Sequence, residues 1–115
     1  MAIDVNQLVA DMNAAASTIM SADITTVRGF SERQLKALAQ QAALVEVGIR
    51  TGQITGDTQD FFLDGLEDMA LNFVKTLRGL MMVTIEKVWN AIVGVIWKAI
   101  QAGIPGIVLP VPTLS

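Results

Sequence analysis

Five carboxylates fall within twelve residues, Asp57, Asp60, Asp64, Glu67 and Asp68, and the last four share roughly one face of a helix. Such a cluster invites a divalent cation or paired acid–base chemistry. Its spacing lacks the alternate-position ligands of a calcium loop, and hydrolysis would need a second carboxylate opposed across a cleft. Acidic residues at a helix start also complement the helix dipole, and that reading accounts for the cluster without a ligand.

Nucleophilic chemistry is poorly provided for. Ser17, Ser21 and Ser31 have no histidine to activate them, because the chain contains none. A Ser–Lys pair would need Lys36, Lys75, Lys87 or Lys98 held dry beside a serine. No G-x-S-x-G turn or phosphate-binding glycine loop with lysine occurs. With no cysteine either, thiolate metal sites and disulfides are excluded. The expectation is a non-enzymatic protein with no cofactor, no metal and no small-molecule substrate. A net charge of −3 with no basic arm argues against nucleic acid as a partner.

The elements that would position any site are helical. Val5, Leu8, Val9, Met12, Ala16, Ile19 and Met20 recur at helical spacing and predict a first helix over residues 4–26. Ser31 followed by Gln34 predicts the start of a second helix, with Phe30 stapled onto Leu35. That helix runs through Leu38, Ala39, Ala42, Val45 and Ile49 and should pack on the first as an antiparallel hairpin, joined around Arg28 and Gly29. Glycines at 48, 52 and 56 end it, their membrane-interface spacing being interrupted by Arg50, Thr51, Gln53 and Thr55. Asp57 or Thr58 is then expected to cap a third element.

No proline intervenes between Phe61 and Ala102, so one long, very apolar helix is expected over residues 58–102, with a bend near Gly79. Pro105, Pro110 and Pro112 impose an extended C-terminal arm. The predicted organisation is a single all-α domain: an alanine-rich hairpin and glycine-rich turn over 1–57, the long helix over 58–102 and the arm over 103–115. The N-terminus lacks the basic and apolar regions of a signal peptide and reads as mature, intracellularly made sequence.

Apolar residues are unevenly distributed. Residues 1–57 hold 28 of them, ten being alanine, whereas residues 79–115 hold 22 in 37 positions with three alanines. The surplus of large side chains therefore sits at the back. The candidate oligomer or membrane contacts are Leu80, Met81, Met82, Ile85, Val88, Trp89, Ile92, Val95, Ile96, Trp97 and Ile100. Between them Glu86, Lys87, Asn90, Lys98 and Gln101 form a narrow polar stripe. Met81 and Met82 beside the bend could make an adaptable contact surface. In the arm, Ile107, Val108, Leu109, Val111 and Leu114 are anchors suited to a neighbour's groove.

Crossing a bilayer fits this segment badly. The uncharged run between Lys87 and Lys98 is ten residues, about 15 Å of helix and half the hydrocarbon thickness. Trp89 and Trp97 are too close together to mark both interfaces. The primary expectation is a non-enzymatic structural subunit of a homo-oligomeric helical assembly that meets itself and other assembly proteins, in the setting of a small phage-type virion component such as a tail, neck or internal ejection protein. The alternative is a membrane-active or membrane-embedded oligomer whose C-terminal helix lines a polar path with its stripe. A third reading is a monomeric helical binding module.

Overall fold

Asp4 begins the first helix by accepting the Gln7 backbone N–H at 3.1 Å, a local cap that satisfies one of the amides a helix start leaves open. The computed structural model describes residues 3–113. Within them lie four helices, α1 (Val5–Met20), α2 (Glu32–Arg50), α3 (Gly56–Thr76) and α4 (Met82–Gly103), with a 3₁₀ turn at Ile24–Thr26. The described chain contains no strand, and the architecture is all-α.

Helix α1 is shorter than its apolar spacing predicts. Ser21 adopts a left-handed φ of 54°, and the Asp23 carboxylate accepts the Thr25 backbone N–H at 3.0 Å, starting the 3₁₀ turn. Side-chain bonding to the backbone competes with helix continuation at such residues. At α2, Ser31 Oγ accepts the Gln34 N–H at 3.2 Å, as the spacing predicts. Helix α3 is capped from Thr55, whose N–H donates to Thr58 Oγ1 at 3.2 Å. Asp57 therefore stands in the first turn and is not the cap.

The single long helix expected over 58–102 is two helices. Leu77 leaves α3 with extended backbone and its side chain buried. The Arg78 guanidinium donates to the carbonyl oxygens of Lys75 and Leu77, occupying acceptors that a continuing helix would have used. Gly79 then takes φ +83°, a left-handed conformation that reverses the chain cheaply only for glycine. What reads as a bend is a five-residue break, and the break lets α3 and α4 pack on each other.

Helix α4 touches α1, α2 and α3, with its largest interface on α1. The start of α1 lies beside the end of α4, while α2 and α3 run antiparallel, with Phe30 edge-on to Phe73 at 5.9 Å. One core joins all four helices, centred on Met12, Leu38, Leu66, Phe73, Ile92, Ile96 and Trp97. The accessible surface is 6545 Å², against about 6,100 Å² expected of a compact monomer of this mass. With Val88, Trp89, Ile92, Val93, Ile96, Trp97 and Ile100 buried, the apolar surplus of α4 is largely absorbed inside one chain.

The arm also turns inward. Gly106 at φ +85° redirects it, Leu109 is buried, and the Leu109 N–H donates to Gln101 Oε1 at 3.3 Å. Instead of reaching for a neighbour, Leu109 docks on its own α3 and α4, beside Leu63 and Trp97. Leu114 lies outside the described residues.

Candidate functional site

Of the contact residues expected from sequence, Val88, Trp89, Ile92, Ile96, Trp97 and Ile100 are buried in the chain's own core. Leu80, Ile85 and Val95 are half-buried. Met81 and Met82 are 74% and 71% exposed, and Val83 follows them at the surface. Four consecutive apolar residues, Leu80–Val83, thus form a tip where the α3–α4 connection enters α4. In the stripe, Lys87 and Lys98 are exposed, whereas Glu86, Asn90 and Gln101 are half-buried. Ile107 is half-buried, and Val108 and Val111 are exposed.

The tip is held firmly from below. Leu77 is anchored in the core, and the Arg78 backbone N–H donates to the Arg28 carbonyl at 2.8 Å, joining the two loops at this end of the bundle. Met81 is the N-cap of α4, where no side chain caps the helix and no acidic residue stands in the first turn. An apolar N-cap is among the least favourable choices for a helix start. Nothing in the local folding of α4 calls for methionine there.

Charge is segregated along the bundle. The α1–α2 and α3–α4 loops and the helix ends that flank them carry Arg28, Arg33, Lys36, Lys75, Arg78 and Lys87, six of the eight bases, with only Asp23, Glu32 and Glu86 among the acids, a balance of +3. The remainder of the chain holds two bases and eight acids, a balance of −6. On α3 the carboxylates crowd one another. Burial, then the hydrogen bond with Asp64, then the charges of Asp64 and Asp68 hold the Glu67 carboxyl above the usual glutamate range. Among the described residues, no group of three or more acidic side chains is arranged to hold a metal ion.

Between α2 and α3 an open groove of about 470 Å³ is lined by Phe61, Phe62, Gly65 and Met69, with Asp64 and Asp68 on its rim. Phe61 is 74% exposed and meets Phe62 edge-on at 5.4 Å. A Cβ at Gly65 would meet nothing within 4 Å, so the groove floor is open there. Its exposed aromatic was absent from the sequence reading, although Phe61 falls off the apolar register of Leu63, Leu66, Ala70, Phe73 and Val74, which is the signal that it faces outward.

Glu46 was also missed. It is fully buried and accepts from Arg50 Nε at 3.1 Å through Oε1. Its Oε2 has no hydrogen-bond partner among the described residues. The signal is its register: Glu46 continues the stripe of Leu35, Leu38, Ala39, Ala42 and Val45. Elsewhere polar groups serve the fold, with Ser17 Oγ accepting the Ile24 N–H at 3.0 Å.

No family model matches the chain, and no curated protein or solved structure is similar to it. Among the described residues no helix is long and apolar enough to cross a membrane.

Proposed function

We propose that this protein is a non-enzymatic structural subunit that folds as a single four-helix unit and then assembles with copies of itself. The observation that carries this reading is the Leu80–Val83 tip. Two methionines, largely exposed, stand where a connection that is otherwise pinned to the core enters α4. Most of the apolar supply of α4 is already used internally, so the driving force for assembly is the tip and not the whole helix. Methionine suits the role, because its flexible thioether adapts to an irregular partner surface. The setting of a phage-type virion component rests on size and composition alone.

Light scattering on a sizing column without detergent tests the reading. The expected result is a particle of several chain masses for the native protein and of one chain mass for the Met81→Asp/Met82→Asp variant. A single-chain mass for the native protein at all concentrations would overturn it.

A further inference from the structure

From the pairing of the cationic Leu80–Val83 tip with the acidic-rimmed Phe61–Met69 groove, we infer that copies of this chain join head to tail, the tip of one seated in the groove of the next. The inference rests on the self-assembly proposed above and specifies its geometry.

Three features point to a second copy as the occupant. The first is charge: the exposed Lys75, Arg78 and Lys87 lie within five sequence positions of the tip, and the groove is lined by Asp64 and Asp68. Opposed potentials of this kind steer association and fix register. The second is shape and chemistry, because the groove offers the rings of Phe61 and Phe62 over an open floor at Gly65, and methionine sulfur packs favourably at aromatic edges. The third is the start of α4, where no side chain caps the helix. Asp64 or Asp68 of the next copy would bring a carboxylate to that positive helix end and its open amides. A cationic neighbour also relieves the crowding around Glu67.

The two surfaces do not coincide. Gly65 and Thr76, the last residue of α3, are eleven positions apart, about 16 Å along the helix, on a molecule 42 Å long and 20 Å across its thinnest direction. A one-way contact between different patches is heterologous and repeats into a ring where the rotation closes and a filament where it does not, whereas two reciprocal tip–groove contacts close a two-fold pair. A closed two-fold dimer through the tip alone is the geometry this excludes.

The test uses the absence of native cysteine. Met82→Cys and Gly65→Cys are made as separate full-length variants, each at an exposed position, mixed in equal amounts and oxidised mildly. The expected product is a mixed disulfide between Cys-bearing positions 82 and 65, with at least about tenfold less from either variant alone. Its yield falls when salt is raised from about 0.01 M to about 1 M, over which the screening length shrinks from about 30 Å to about 3 Å. It also falls with Lys75→Glu/Lys87→Glu. An assembled particle whose cross-links join only two copies of position 82 would overturn the head-to-tail geometry while leaving self-assembly intact. A single-chain particle with no cross-link in the mixture or in either variant alone, whether or not it binds anionic vesicles, would overturn both.

Discussion

The Arg78 backbone N–H and the Arg28 carbonyl oxygen are 2.8 Å apart, and this one bond fastens the α1–α2 loop to the α3–α4 loop. It sets the cationic end of the bundle as a unit and gives the tip a fixed base. The approach is close because Gly29, next in the chain, has no side chain.

Gly29 and Gly79 separate two effects at nearly equal φ, +87° and +83°. A Cβ at Gly29 would stand 1.8 Å from the Thr76 carbonyl oxygen, whereas one at Gly79 would meet nothing within 4 Å. Gly79→Ala should cost only the left-handed penalty, about 1–2 kcal/mol. Gly29→Ala adds backbone displacement and should cost about 3 kcal/mol or more. Denaturant unfolding of both variants checks this, and equal losses would contradict it.

The buried Glu46–Arg50 pair predicts opposite signs for its two members. Replacing Glu46 by Met removes a desolvated carboxylate with one unpartnered oxygen and should be neutral or stabilising, up to about 2 kcal/mol. Arg50→Ala leaves that carboxylate without its ion pair and should destabilise by about 1–3 kcal/mol, less than a fully buried pair because the Arg50 side chain is 38% exposed. Thermal melts near neutral pH distinguish the two. Destabilisation by both changes would show that the pair is a net contributor to the fold.

Leu109 anchors the arm within its own chain. Leu109→Ala should therefore cost about 2–3 kcal/mol, the lower part of the usual range for a buried leucine because the site lies at the edge of the core. Deleting residues 104–115 should lower the melting temperature and leave the number of chains per particle unchanged. A changed particle size would show that the arm, and not the tip, joins the copies.

Glu67 supplies a pH dependence. Its carboxyl lies above the ordinary glutamate range through burial and the neighbouring Asp64 and Asp68, so the folded chain binds the proton more tightly than the unfolded one. Stability therefore falls as pH rises from the ordinary glutamate value to the raised folded value, and the penalty is full above that window. Glu67→Gln should be more stable than the native protein near pH 7, with the difference closing in acid. Asp23 runs the other way, because the Thr25 hydroxyl and amide hold it below the usual carboxylate range. Lower stability of Glu67→Gln near neutrality would contradict the assignment.

Much of the helical register was legible in the residues. Leu8, Met12 and Ala16 face inward on α1, and Leu35, Leu38 and Ala42 on α2, as their spacing indicates. The break between α3 and α4 was legible only as a weak point, since Gly79 is compatible with a helix as well as with its end. What decides it is tertiary: Leu77 is buried, and Arg78 bonds to Arg28 from a distant loop. The same break explains why the apolar supply of α4 misled as to scale. Folded back on α1, α2 and α3, Val88, Ile92, Ile96 and Ile100 become core, and the exposed large apolar residues of α4 are Met82 and Val83, at the break. The groove could not be read from sequence, because it needs Gln41 of α2 beside Met69 of α3.

Sedimentation velocity of the native chain, without detergent and at low and high salt, tests self-assembly through the tip most directly. The account predicts particles of several chains at low salt, dissociating toward single chains as salt rises, and single chains for Met81→Asp/Met82→Asp under all conditions. One sharp boundary at the mass of a single chain, at every salt and concentration, would contradict it.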